Sequence, residues 1–162
     1  MANSECVSEW KDQILSDLQQ DDLFLSVLGV TDEEIEEGLV YKRLFPFRYI
    51  SERQDDVKTY ICVEVDIDKG ADRTFQSRIW VRPTITFRII AHQDDMRIPS
   101  LSKTRLDYLA ELIDKKYNRK RINNSFELDF LCNNAYDVST TYRERVVKFR
   151  GVALTNGLCS GD

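Results

Sequence analysis

A long strand that runs almost at once into an amphipathic helix, over residues 78–117, constrains this chain more than any other stretch. From Ile79 onward, Ile79, Val81, Ile85, Phe87, Ile89 and Ala91 alternate with Trp80, Arg82, Thr84, Thr86, Arg88 and His92. A period of two puts each set on its own face and predicts a half-buried strand. Pro83 has no N–H to give to a ladder, so a sheet edge or a bulge is expected there. Past a polar turn at 92–100 the period changes. Leu106, Leu109, Ala110, Ile113 and Tyr117 fall at helical spacing and make one apolar stripe. Ser102 is the expected N-cap, and Lys115 and Lys116 sit where a helix C-terminus favours cations. Such a helix must fold back on the sheet that the strand belongs to.

The flanking segments extend this unit. Val7, Trp10, Ile14 and Leu18 share one helical face over about 4–18, and Leu23, Phe24, Val27 and Leu28 form a short second helix stopped by Gly29. Thr31 and Glu34 have capping-box spacing ahead of a brief acidic turn that Gly38 ends. Residues 39–47 are aromatic and broken by Pro46, an edge strand or an extended arm. A polar loop follows at 51–58. Ile61, Val63, Val65 and Ile67 alternate with Tyr60, Cys62, Glu64 and Asp66, and the turn signal Asp68-Lys69-Gly70 joins this strand to the long one as a hairpin. Residues 71–77, with Arg73 and Phe75, make a protruding tip. Phe126, Leu128 and Phe130 alternate as another strand, 133–141 reads as a polar loop, and 142–154 as the last strand with Val147, Phe149 and Val152 inward.

The fold expected from this order is α+β, a mostly antiparallel β-sheet with a long hairpin, flanked by helices on one face. A length of 162 residues suits one domain: an N-terminal helical segment at 1–38, an α+β core at 39–154 and a loose tail at 155–162. The formal net charge of -5 is a poor background for a general nucleic-acid binder. Cys6, Cys62, Cys132 and Cys159 have no CxxC spacing, so four reduced thiols are expected rather than a disulfide framework or a zinc site. No leader pattern or membrane-length apolar run is visible, and the composition suits a soluble protein of a reducing compartment.

Several constellations could carry chemistry. His92, the sole histidine, precedes Asp94 and Asp95 and is either a metal corner or a hydrogen-bonded turn residue. Glu64 and Asp66 share a strand face, with Lys69 beyond, an arrangement that a metal-dependent nuclease could use or that solvent alone explains. Lys115, Lys116, Arg119, Lys120 and Arg121 form the strongest cationic cluster, suited to a helix end, a protein contact or phosphates. The far face of the long strand mixes Trp80, Arg82, Arg88 and Ile90. That composition fits a subunit interface, or a face covered by the N-terminal helices through Trp10 and Phe24.

The run Thr84-Ile85-Thr86-Phe87-Arg88-Ile89-Ile90-Ala91-His92, then Arg105-Leu106-Asp107-Tyr108-Leu109-Ala110-Glu111-Leu112-Ile113-Asp114, resembles neck proteins of tailed phages. So does the closing Tyr142-Arg143-Glu144-Arg145-Val146-Val147-Lys148-Phe149. Over about 11–154 the chain looks like tail terminator (tail-completion) proteins and related prophage proteins. The resemblance implies a virion protein of the head-tail junction, assembled in the host cytoplasm as a homohexamer ring that caps the tail tube. Its partners would be other copies of itself, the tail tube protein and a head-closure or connector protein, with no membrane. DNA would cross the lumen without sequence-specific binding. The resemblance implies no enzyme activity, no catalytic residue, no cofactor and no metal. Trp80, Arg82, Arg88, Arg73, Phe75, Arg119, Lys120 and Arg121 are the expected contact residues. Another neck or head-tail connector component is the near alternative, and a small metal-dependent nuclease is the alternative from another class.

Overall fold

The structure is a computed structural model that describes residues 5–69, 80–99, 101–151 and 153–154. Helices α1 (Glu5–Gln19), α2 (Asp22–Leu28) and α3 (Asp32–Glu37) lead into β1 (Leu44–Phe45), β2 (Thr59–Lys69) and β3 (Trp80–His92). Then come α4 (Arg105–Tyr117), β4 (Arg121–Ile122), β5 (Phe126–Glu127), β6 (Asp129–Asp137), β7 (Tyr142–Arg150) and β8 (Ala153–Leu154). The main sheet has the order β1-β2-β3-β7-β6, with β8 also beside β3, while β4 and β5 pair separately. All its pairings are antiparallel except β1 with β2. The α+β fold with helices on one face stands.

The long hairpin is in register from Thr59 opposite Ala91 to Lys69 opposite Val81. Its expected tip at 71–77, and with it Arg73 and Phe75, lies outside the described residues, as do Val152 and the tail at 155–162. On one face Ile61, Val63, Val65, Ile85, Phe87, Ile89, Val147 and Phe149 join Trp10, Ile14, Leu18, Phe24 and Leu28 in a single core. The α4 stripe belongs to it entirely: Leu106, Leu109, Ala110, Ile113 and Tyr117 are all buried. Burying each large aliphatic there stabilises the fold by about 1.5–3 kcal/mol relative to leaving it in water. The α4 cap is Thr104 rather than Ser102; its hydroxyl accepts from the Asp107 N–H, and Arg97 bridges to it across the turn.

Four other expectations change. Pro83 is not at an edge, because β3 lies between β2 and β7. The missing N–H falls where the neighbouring chain passes from β7 to β8: Pro83 still accepts from Gly151 N–H at 2.9 Å but returns no bond. The polar stretch 133–141 is largely strand, since β6 runs on to Asp137 against β7, and the alternating run at 126–130 splits between β5 and β6. Over Thr59–Val63 and Pro83–His92 the two strands are also covered on both faces rather than half-buried. Phe45, Tyr60, Cys62, Ile90 and Tyr142 form a second cluster on the far face, with Tyr49 and Val138 against it. The chain at 45–56 closes that face, not the N-terminal helices. Finally, Cys6 is disulfide-bonded while Cys62 and Cys132 are free thiols, which overturns the expectation of four reduced cysteines.

Two buried arginines tie the helices to the sheet. Arg43, 3% exposed, donates to Thr59 O at 2.8 Å, Leu28 O at 2.9 Å and Glu34 Oε1 at 2.9 Å. Arg105 donates to Asp95 O and Val27 O. Burial pushes the Glu34 carboxyl up, but the Thr31 N–H, Arg43 and Lys58 outweigh it and hold its pKa below the ordinary value. Asp21 behaves alike: burial raises it, while Lys116 and the Phe24 N–H prevail. A folded-state pKa lowered in this way gives stability that is complete above the ordinary carboxylate range and lost as pH falls through it. Urea midpoints should therefore drop on acidification below about pH 4, with a flatter acid limb in Glu34→Gln. An unchanged acid limb in that variant would show that Glu34 carries none of the effect.

Candidate assembly interface

The far face of β3 is a charge network rather than a free surface. In register, Arg88 faces Cys62 of β2 and Val146 of β7. Side chains two residues along a neighbouring strand are diagonal neighbours on the same face, which places Glu64 and Glu144 within reach. Arg88 Nε donates to Glu64 Oε2 and Nη1 to Glu144 Oε1 at 3.2 Å, and Arg48 reaches Glu144 at 3.4 Å. Glu144 is 3% exposed. Burial disfavours the Arg88 charge, but the two carboxylates outweigh it and raise the guanidinium pKa. Beside the network, burial pushes the Cys62 thiol up to about 11. Arg82 is exposed further along the strand, and Trp80 is described by its backbone alone, opposite Leu154.

The constellations with possible metal chemistry are otherwise engaged. Glu64 is taken by Arg88, away from Asp66, which is exposed. His92 Nδ1 accepts from the Asp94 N–H at 3.1 Å, which leaves Nε2 to donate to Gln54 O at 2.9 Å. It is a buried turn residue that pins the loop at 51–56 over the sheet end.

The basic cluster is a seam of ion pairs. Lys116 meets Asp21 at 2.9 Å, Lys120 meets Asp17, and Arg119 meets Glu127 and Asp129. Lys115 pairs with Glu111 one turn back, at 2.6 Å. Arg121 is exposed, opposite Glu127 in the β4–β5 pair. These contacts stitch the end of α4 to α1 and to the start of β6, and they leave little uncompensated positive charge for phosphates.

Two surfaces stand out instead: β6, which the alternation argument missed, and the aromatic segment at 39–47, expected as an edge strand or an extended arm. β6 is an edge strand, exposed along its length, with Cys132 alone partly covered. Phe130, Leu131 and Tyr136 are 43%, 42% and 51% exposed. A register shift between Phe130 and Cys132 puts Leu131 out of step with β7, so period two breaks in the sequence where the strand begins. At the opposite edge of the sheet, Tyr60, Tyr49, Phe45, Phe47 and Tyr41 form an aromatic ladder with consecutive centroids 4.0–6.1 Å apart. It runs from buried Tyr60 to Phe47 and Tyr41, 46% and 65% exposed. The density of aromatics in Tyr41-Lys42-Arg43-Leu44-Phe45-Pro46-Phe47-Arg48-Tyr49 was the available signal. Unpaired ladder groups on an edge template pairing with another chain, and exposed aromatic patches rimmed by charge mark contact surfaces.

A protein-family model, YomW, matches residues 13–150. No curated protein matches the chain.

Proposed function

We propose, since the chain belongs to the YomW family and is a phage-related protein, that it is a structural virion subunit of the phage neck. In this reading it is a tail terminator: a ring of identical subunits that caps the tail tube and meets a head-closure or connector protein. It acts by assembly and not by catalysis, and DNA crosses the ring without sequence-specific contacts. The observation that carries the reading is β6, a full-length sheet edge exposing Phe130, Leu131 and Tyr136. Natural sheets that remain monomeric blunt such an edge with lysine, proline, a bulge or a covering loop. β6 has no lysine or proline, and its one irregularity, between Phe130 and Cys132, leaves the stretch from Asn133 to Asp137 in regular register. The acidic balance of the chain suits a lumen that repels DNA.

The test is the solution mass of the purified protein by light scattering, with negative-stain images of the same fraction. Rings with a central hole, several times the 19.0 kDa chain mass, are expected alone or on addition of tail tubes. A chain that forms no ring, ignores tubes and cleaves DNA with a divalent metal would replace this reading with the nuclease.

A further inference from the structure

Both ends of the one sheet carry exposed apolar side chains. Among the described residues, Phe130, Leu131 and Tyr136 lie on β6 and Tyr41 and Phe47 flank β1, while Ile50 and Val57 flank the loop at 51–56 and Leu23, Ile35 and Leu101 are exposed elsewhere. These two edges are the ends of the order β1-β2-β3-β7-β6. They are also complementary in charge. β6 carries Asp129 and Asp137 and no base, whereas 41–48 exposes Lys42 and Arg48, its Arg43 being buried against Glu34, and carries no acid. Lys42 and Arg48 are about half exposed, and Asp129 and Asp137 more so. The present pairs of Lys42, Asp129 and Asp137 are surface ion pairs, worth little and readily exchanged. Arg48 reaches the buried Glu144 from a half-exposed position, and Arg88 also pairs with that carboxylate.

The 41–48 edge is also pre-shaped. Tyr41 has φ of 65°, a left-handed conformation that costs a bulky residue energy. It is held there by a tight turn in which Leu44 N–H and Arg43 N–H donate to Leu39 O, and Tyr41 N–H donates to Leu44 O. The turn presents the tyrosine ring to solvent, 6.1 Å from Phe47. A strained, outward aromatic backed by a ladder of ring contacts has less freedom left to lose on binding.

We infer that β6 of one copy docks on the 41–48 edge of the next, a head-to-tail contact between opposite edges of the sheet. This rests on the assembly reading above and specifies its interface. A contact between two different patches is heterologous, and repeated by rotation it closes into a ring, where β6 against β6 would stop at a dimer.

Two double variants test this, each confined to exposed side chains. Leu131→Lys with Tyr136→Lys disables β6, and Tyr41→Asn with Phe47→Ser disables the other edge; an unchanged thermal midpoint and near-UV spectrum establish that each is folded. Each alone is expected as a 19.0 kDa monomer by light scattering. Mixed, they retain one good edge apiece and should give a one-to-one dimer of twice that mass. A Tyr41→Asn/Phe47→Ser protein that still self-associates, or a mixture that stays monomeric, overturns the head-to-tail contact. A wild-type chain that remains a monomer up to about 1 mM overturns it as well. The neck reading would then stand or fall separately, on binding to tail tubes.

Discussion

Replacing Arg88 by alanine should cost about 3–5 kcal/mol, because it strands a carboxylate inside the protein. Glu144 is almost fully buried, and its contacts are Arg88 at 3.2 Å and Arg48 at 3.4 Å, the latter from a side chain nearly half in solvent. Glu64, partly buried, would lose its partner in the same step. For a chain of this size, with about 2–4 °C of midpoint per kcal/mol, the thermal shift is on the order of 10 °C. Arg48→Ala should cost far less, since Arg88 still pairs with Glu144 and the Arg48 side chain is itself nearly half in solvent. The informative control is the triple change Arg88→Met, Glu64→Gln and Glu144→Gln. If the cost is mainly uncompensated charge, removing all three charges together restores most of the stability lost in Arg88→Ala. Urea denaturation of the four proteins decides it. A loss below about 1 kcal/mol in Arg88→Ala would mean that water reaches Glu144 and that the network is ornamental to stability.

That network also shows what the sequence made legible and what it hid. Alternation placed Glu64 and Arg88 on the faces of their own strands away from the main core, which is correct for each strand taken alone. It could not supply the register between three strands. The register turns a candidate contact residue and a candidate metal ligand into a salt bridge. The same limit applies to Lys116 and Lys120. Their positions at a helix C-terminus were plain, but their acidic partners, Asp21 and Asp17, are about a hundred residues earlier in the chain. Local signals fared better because their physics is local. The Thr31–Glu34 capping box forms with both of its bonds, Gly29 closes α2 at φ of 74°, and the α4 stripe is buried throughout. The α4 cap slipped by two positions, since Ser102 and Thr104 are equally competent caps and only the Arg97 bridge distinguishes them. β6 was missed for the opposite reason. A strand exposed on both faces needs no alternation, and Asn133 and Asn134 speak for a loop until β7 is there to pair with them.

Gly151 shows how much can rest on the absence of one methyl group. A Cβ built there would sit 2.2 Å from Cδ2 and 2.9 Å from Cε2 of Phe126, inside any permitted contact. The ring cannot easily retreat. It is buried edge-on against Trp10, with centroids 4.8 Å apart, in the core that joins α1 to the sheet. Nor is the backbone free, because Gly151 N–H donates to Pro83 O in the gap between β7 and β8. Gly151→Ala should therefore cost about 1–3 kcal/mol or more as an overpacked core, with the damage centred on the Trp10–Phe126 contact. Phe126→Leu on its own also destabilises, through lost packing. Combined, the two should be clearly less than additive, because the smaller side chain vacates the space that the new methyl enters. In a Trp80→Phe background, Trp10 fluorescence during urea unfolding reports both the stability and the local packing. Strict additivity would locate the strain in the backbone at Pro83, and the glycine would then be needed for the ladder gap and not for the ring.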